Sequence, residues 1–256
     1  MIVLWLGLGL SVAMMAAWTV QWRIKNAGFV DVIWTLALGA AGVASGLTSN
    51  GPRSLLVAGM TTIWALRLGG HILWRTWGTA EDARYAGFRA NWGNGFQQRM
   101  FGFLQIQALA ATTLTLSFVV TARNPAPLGA TDIVGLMLFA VGIIGGGLAD
   151  AQLARFRRDP PYSGALCDTG LWRYSRHPNY FFEIVAWCSW PMLGITPSYA
   201  WGWLALSGPA LMFWLLVFVS GIPPLEEAML RSRGEAYRAY QARTRALLPL
   251  PKRSRT

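Results

Sequence analysis

Seven apolar runs alternate with shorter polar stretches along the chain, at about 2–22, 28–48, 55–76, 101–121, 131–153, 179–196 and 199–220. Each comes near the roughly 20 apolar residues that an α-helix needs to cross a bilayer. The pattern predicts an all-α, multi-pass integral membrane bundle of about seven transmembrane helices, followed by a cytosolic C-terminal helix. The first run lacks the basic start and cleavage site of a secretory signal, so it reads as a permanent span. The sixth is the shortest, its end bracketed by Pro191 and Pro197.

Composition supports that class. Hydrophobic residues make up 54% of the 256, charged residues only 13%, and there are 14 tryptophans. The net charge of +11 would suit nucleic acid, but the basic residues sit between apolar runs and in the tail rather than along one polar face. Nucleic acid is therefore not an expected partner. Arg23, Lys25, Arg75, Arg84, Arg89 and Arg99 follow odd-numbered spans, as do Arg155, Arg157, Arg158, Arg173, Arg176 and the basic tail with Lys252, Arg253 and Arg255, whereas Arg53 and Arg123 fall on the other side. By the positive-inside rule the amino terminus lies outside and the carboxyl terminus in the cytosol. Cys167 and Cys188 form neither a metal set nor a disulfide framework and read as structural.

Polar residues inside the apolar runs come next, because a charge at mid-membrane costs roughly 2.5–3.5 kcal/mol on insertion scales. Asp31 opens the second run, and Arg67 and His71 sit one helical turn apart in the third. They read either as the floor of a polar pocket or as an interhelical Asp–Arg pair. Arg123 and Asp132 lie near run ends, where interfacial solvation would suffice. The stretch 77–100 mixes charges with aromatics and predicts a short amphipathic surface helix whose Tyr85 could donate a proton or anchor at the interface. The glycine cluster at 145–147 lacks the strand context of a nucleotide fingerprint and predicts close helix packing.

The densest chemistry is in Gly170-Leu171-Trp172-Arg173-Tyr174-Ser175-Arg176-His177-Pro178-Asn179-Tyr180-Phe181-Phe182-Glu183. Pro178 disfavours helix at His177 and favours a helix start near Asn179. Free N–H groups there, with Arg173, Arg176 and His177, would suit a phosphate; a positively charged loop that only fixes orientation is the plainer alternative. Asp150, Leu153 and Arg157 recur at helical spacing, either as an exposed ion pair or as an acid for ribose hydroxyls beside a guanidinium for phosphate. Beyond Pro223-Pro224, Glu226 and Glu227 open a segment carrying Tyr237 and Tyr240, which also fits a plain capped helix.

Asp150-Ala151-Gln152-Leu153-Ala154-Arg155-Phe156-Arg157, the run from Asp168 to Tyr180, and Tyr237-Arg238-Ala239-Tyr240 with Arg243-Thr244 and Pro249 together resemble the bacterial branch of the steroid 5α-reductase family. The resemblance is strong over about 150–250 and patchy before it. It implies a helical reductase with two regions: 1–130, four spans around a lipophilic substrate, and 131–256, three spans and a tail that hold NADPH. Carried over residue by residue, it assigns cofactor contacts to Asp150, Leu153, Arg157, Asn179 and Glu183, with Glu226 and Glu227 near another such place. Arg173, Arg176, His177, Tyr180, Tyr237 and Tyr240 belong to the same expected cofactor region. The chain departs from the pattern where eukaryotic members use a Glu and a Tyr to protonate the steroid ketone: the nearest counterparts are Asp31 and Trp64, and tryptophan cannot supply that proton. Phe182 stands where relatives have glycine before the Glu.

The expected chemistry is hydride transfer from NADPH to a carbon–carbon double bond conjugated to a carbonyl, with Asp31, Arg67 and His71 as candidate polarising groups. The expected partners are a lipophilic small molecule and membrane lipid, and the protein is expected to be a monomer. Membrane methyltransferases of the isoprenylcysteine or phospholipid type also resemble the chain, through Arg176-His177-Pro178-x-Tyr180 and the Glu226-Glu227 pair, which makes S-adenosylmethionine the rival cofactor. A non-catalytic membrane protein is the third class.

Overall fold

A computed structural model describes residues 1–158 and 165–251. Lys252, Arg253 and Arg255 of the basic tail lie outside the described residues. The described helices, in order, are α1 (Ile2–Ile24), α2 (Gly28–Leu47), α3 (Ser54–Thr76), α4 (Ala83–Trp92), α5 (Phe96–Ala122), α6 (Ala130–Arg158), α7 (Pro178–Trp187), α8 (Ser189–Gly194), α9 (Ser207–Trp214) and α10 (Ile222–Arg243). No strand occurs among the described residues beyond two isolated bridges, Ser175 with Arg245 and Thr196 with Tyr199.

Six helical runs among the described residues are long and apolar enough to cross a membrane: α1, α2, α3, α6 and the runs Ala83–Ala122 and Ala200–Arg243. The stretch 179–196, expected to be a seventh, is instead two short helices, α7 and α8, joined at Cys188. Pro191 has no N–H to give the carbonyl of Trp187, and Ser189 Oγ instead caps Ala186 O at 2.6 Å. The run at 199–220 is also irregular: a 3₁₀ segment, Ala200–Leu206, leads into α9, and a π-turn, Leu215–Val219, ends it. The polar, charged α10 follows, with Pro223-Pro224 in its first turn, where missing N–H groups cost little. It kinks at Gly234, whose φ of 49° a residue with a side chain would resist.

The chain divides into two compact units. Unit 1 comprises Met1–Gly135 with Trp190–Leu211, and unit 2 comprises Leu136–Ser189 with Met212–Thr256.

In unit 1, α2 and α3 approach closely because small residues face each other: a Cβ on Gly39 would lie 2.2 Å from that of Ala65, and one on Gly42 2.3 Å from Thr61 Cγ2. Met14, Ala17, Val30, Met100 and Leu104 form a buried cluster that also takes in Tyr85 of α4. The outer faces carry Leu4, Trp5, Leu55, Leu66, Ile106 and Leu109, all exposed, as lipid-facing helices require. The connection before α6 is fixed by Arg53 and Asp132. Arg53 Nε and Nη2 donate to Asp132 Oδ1 and Oδ2 at 2.6 and 2.8 Å, and both residues are buried. Asp132 is thus a buried ion-pair partner, not the interfacially solvated residue expected, because Arg53 reaches it from 79 positions away in the chain.

In unit 2, α7 packs on α6 where glycines permit it. A Cβ on Gly145 would meet the Phe182 ring at 2.3 Å, and one on Gly142 would meet Ala186 N at 2.5 Å. The glycine cluster therefore serves close helix packing, as expected. Phe182, which departs from the family pattern, fills the space above Gly145. Trp172 Nε1 donates to Ala149 O at 3.0 Å and Gln152 Oε1 accepts from Leu171 N at 2.9 Å, which ties the turn at 170–173 to α6.

Candidate functional site

Among the described residues, each unit contains a polar cluster that bears on the expected site. In unit 1 it forms at the start of α2. Asp31 lies in the first helical turn, where the helix dipole favours a carboxylate. Asp82 caps α4 by accepting from Arg84 N at 3.0 Å, which sets the first turn of that helix. Arg84 Nη2 then donates to Asp31 Oδ2 at 2.6 Å, and the Tyr85 hydroxyl donates to Asp31 Oδ1 at 2.8 Å. Glu81 anchors the same segment, accepting from Ala27 N at 3.0 Å and from Arg89 at 2.8 and 3.0 Å.

Asp31 therefore has a tyrosine as its partner, supplied by α4 and not by position 64. Tyr85 is 2% exposed, so α4 is more than a surface helix: one face is built into the core. Arg84 was not among the expected site residues. The cue available in the sequence was an arginine and a tyrosine side by side in a mixed stretch after two acids, and it does not indicate which carboxylate they reach. Asp31 pairs with Arg84, while Arg67 and His71 lie half-buried one turn apart on α3, with His71 against the Trp74 ring.

The cluster in unit 2 centres on Glu226 in the first turns of α10. Its Oε1 accepts from Arg176 Nε at 2.7 Å and lies 3.0 Å from His177 Nε2, and its Oε2 accepts from Gln241 Nε2 at 2.7 Å. Although burial opposes ionisation, the donors on it from His177, Arg176 and Gln241 bring its pKa down from the ordinary 4.5 to about 2. Burial lowers the pKa of His177, which keeps the ring neutral. A neutral ring facing a carboxylate carries its proton on Nε2, leaving Nδ1 as a bare acceptor, and Nδ1 is buried without a hydrogen-bond partner. Burial, and after it the charge of Glu226, raise the Tyr237 phenol.

Carboxylate and donors stay together because the tail returns to pair with the central stretch. Arg176 N donates to Arg245 O at 2.9 Å, His177 N to Ala246 O at 3.0 Å, and Ser175 Oγ to Leu247 O at 2.8 Å. Arg176 also donates to the carbonyls of Gln241 and Thr244, and the Tyr240 hydroxyl donates to Trp172 O.

A second group in unit 2 lies on α6 and α7. Asp150 is buried, and its Oδ1 accepts from Asn179 Nδ2 at 3.2 Å. Leu153 is half-buried one turn along α6 and Arg157 is exposed one turn further, so the three share a face, as their spacing predicts. Tyr180 stacks on His177 with ring centroids 5.5 Å apart, and Glu183, buried, accepts from Trp187 Nε1 at 3.0 Å. Arg173 is exposed in the 3₁₀ turn Gly170–Arg173. Glu227 points away from the Glu226 cluster into an exposed pair with Arg231 at 3.5 Å. Of the residues expected to hold a cofactor, Arg176, His177, Glu226 and Tyr237 thus converge on one junction, Asp150 pairs with Asn179, and Tyr240 is a structural tie. Gln241, the third donor to Glu226, was not anticipated.

The Glu226 junction predicts an acid-sensitive fold. The carboxylate's folded-state pKa lies below its unfolded value, so its stabilisation is complete above about pH 4.5 and is lost as pH falls towards about 2. A Glu226→Gln variant is expected to show a flatter stability profile across that window in chemical unfolding of the detergent-solubilised protein; an unchanged slope would show that this carboxylate does not carry the acid response.

The profile of a family described as "Protein of unknown function (DUF1295)" matches residues 17–244. A relative, the uncharacterized protein C594.04c of Schizosaccharomyces pombe, is 28% identical over 91% of this chain and 75% of its own length. No solved structure matches.

Proposed function

The chain belongs to the DUF1295 family, and from that premise we propose that it is a membrane-embedded, NADPH-dependent reductase of a conjugated carbon–carbon double bond in a lipophilic enone, akin to the steroid 5α-reductases. The observation that carries the reading is the Asp31–Tyr85 hydrogen bond at 2.8 Å. A carboxylate holding a phenol is the acid pair that steroid 5α-reductases use, and it occurs here although position 64 is tryptophan.

In this reading Tyr85 hydrogen-bonds the carbonyl oxygen of the enone and stabilises the negative charge that develops there. To do so its hydroxyl hydrogen turns from Asp31 to the substrate, while Arg84, 2.6 Å from Asp31, balances the carboxylate left behind. The buried setting of Tyr85 keeps competing water from the phenol. NADPH, when bound, would supply the hydride, and Tyr85 gives its proton to the enolate oxygen; the enol then tautomerises to the saturated ketone and solvent restores the proton to Tyr85.

The residues of unit 2 fit a dinucleotide. Asp150 can accept ribose hydroxyl hydrogens, Arg157 offers a guanidinium to phosphate, and the bare Nδ1 of His177 is an acceptor awaiting a donor. The Arg176–Glu226 pair positions His177 for that role. The reading sets the tail in the cytosol, following the distribution of arginine and lysine, where a soluble cofactor is at hand.

Methyl transfer from S-adenosylmethionine is the second reading, favoured by the convergence of Arg176, His177 and Glu226, which membrane methyltransferases share in sequence. The exposed arginines at 155, 157 and 158 weigh against it, since that cofactor has no phosphate to neutralise. Thermal-shift titration of the purified protein separates the two. NADPH is expected to stabilise it and S-adenosylmethionine to have no effect, and Arg157→Ala is expected to weaken NADPH more than NADH. Stabilisation by the methyl donor alone would overturn the reductase reading, and equal losses for the two nucleotides would remove Arg157 from phosphate recognition.

A further inference from the structure

Unit 2 holds a cavity of about 630 Å³ whose lining changes character from one part to another. Phe213, at the end of α9, with Leu247 and Leu248 of the tail, supplies apolar wall; Gln241, Thr244 and Arg245 supply polar lining. Phe213 and Leu248 are 40% and 51% exposed, and Trp214 and Phe218 continue the exposed apolar surface along the helix that carries Phe213. The apolar wall is thus continuous with a lipid-type surface.

Two features of the polar lining point to a ligand. Thr244 is 2% exposed, and its Oγ1 is buried with no hydrogen-bond partner, which is costly for a hydroxyl unless something meets it. Arg245 is exposed and carries no ion pair among the described residues, whereas Arg176 and Arg243 are committed to Glu226 and Asp168. A free guanidinium beside an unsatisfied hydroxyl suits a phosphate. The apolar wall distinguishes the ligand from a free anion, because inorganic phosphate would leave Phe213, Leu247 and Leu248 uncovered.

We propose that this cavity binds an anionic phospholipid, with the headgroup phosphate on Arg245 and Thr244 and an acyl chain against Phe213, Leu247 and Leu248. The volume lies within the range of small-molecule sites, enough for a headgroup and the first part of a chain. Basic residues at a membrane surface already attract anionic lipid, and the cavity adds a shaped place for one molecule. Arg176 of the Glu226 junction also lines the cavity, whereas Asp150, Arg157 and Asn179, the assigned nucleotide contacts, do not.

The test uses the full chain in a neutral detergent with phosphatidylglycerol, phosphatidylcholine or inorganic phosphate added, followed by thermal unfolding and native mass spectrometry. Phosphatidylglycerol is expected to raise the unfolding midpoint and remain bound, while phosphatidylcholine and inorganic phosphate do neither. Arg245→Gln is expected to weaken phosphatidylglycerol about tenfold or more, the usual scale for losing a charge-assisted hydrogen bond. Thr244→Val should reduce lipid binding without lowering lipid-free stability, because the hydroxyl it removes satisfies nothing in the protein. Equal stabilisation by phosphatidylcholine, an equal effect of inorganic phosphate, or unchanged phosphatidylglycerol binding in Arg245→Gln would each overturn the proposal. Loss of the NADPH response in both variants would assign the cavity to the nucleotide instead, and so would also overturn it. A wild type that answers to phosphatidylglycerol but not to NADPH would sink the reductase reading alone.

Discussion

Replacing Arg53 by alanine is expected to destabilise the protein by about 3–5 kcal/mol, the usual cost of removing one partner of a buried ion pair. The guanidinium is 1% exposed and makes four hydrogen bonds: two to Asp132, one to Ala126 O at 2.6 Å and one to Pro127 O at 3.2 Å. Without it, Asp132 keeps only the N–H of Gly129 and remains a buried charge with no cation. The loop carbonyls lose their donor as well. Lysine at 53 should recover only part of the loss, since an ammonium cannot make the paired contact to both carboxylate oxygens. The double change Arg53→Met with Asp132→Leu should recover more, because it removes the charge and the need for its partner together. Equilibrium unfolding in detergent measures all three, and a single-variant loss below about 1 kcal/mol would show that the pair is solvated in a way its burial does not suggest.

Tyr85→Phe is expected to lower the rate of NADPH oxidation with a lipophilic enone by about 10²–10⁴-fold, the range for loss of a positioned general acid, while the protein still folds. The ring stays in its buried cluster and only the hydroxyl is lost, so Asp31 keeps Arg84 as partner. Asp31→Asn should be similarly slow while leaving nucleotide affinity unchanged, because Asp31 is paired with Arg84 and Tyr85 and is not among the proposed nucleotide contacts. Turnover of a 4-ene-3-ketosteroid and of an isoprenoid enone, each measured under saturating NADPH, provides the readout. If Tyr85→Phe keeps turnover within about threefold of wild type, the phenol is not the acid.

Apolar periodicity revealed most of the helical framework, because a spanning helix must satisfy its own backbone and so leaves a long, uninterrupted signal. It failed at 179–196. There the run is apolar throughout, but a serine that bonds its own backbone and a proline without a donor stop the ladder at Cys188. Within the candidate site, spacing revealed what one helix face can hold, such as Asp150, Leu153 and Arg157. The Asp150–Asn179 pair joins two segments that the family resemblance already links. What stayed hidden was pairing over distance. Arg53 with Asp132 and Asp31 with Tyr85 are separated by 79 and 54 positions, and no local period links them. Nor does α4 advertise its buried face: the helix is ten residues long, mixed in character, and placed by the carboxylates it meets rather than by an apolar stripe.

The return of the tail to the central stretch also has a consequence for biosynthesis. The amides of Arg176 and His177 find their acceptors at Arg245 and Ala246, about 70 residues later in the chain. Membrane spans can insert one after another as the chain emerges, but this junction cannot close until residues 245 and 246 have left the ribosome. Nascent chains stalled before residue 245 should therefore be inserted yet lack the Ser175–Leu247 junction that holds Arg176 and His177 against Glu226.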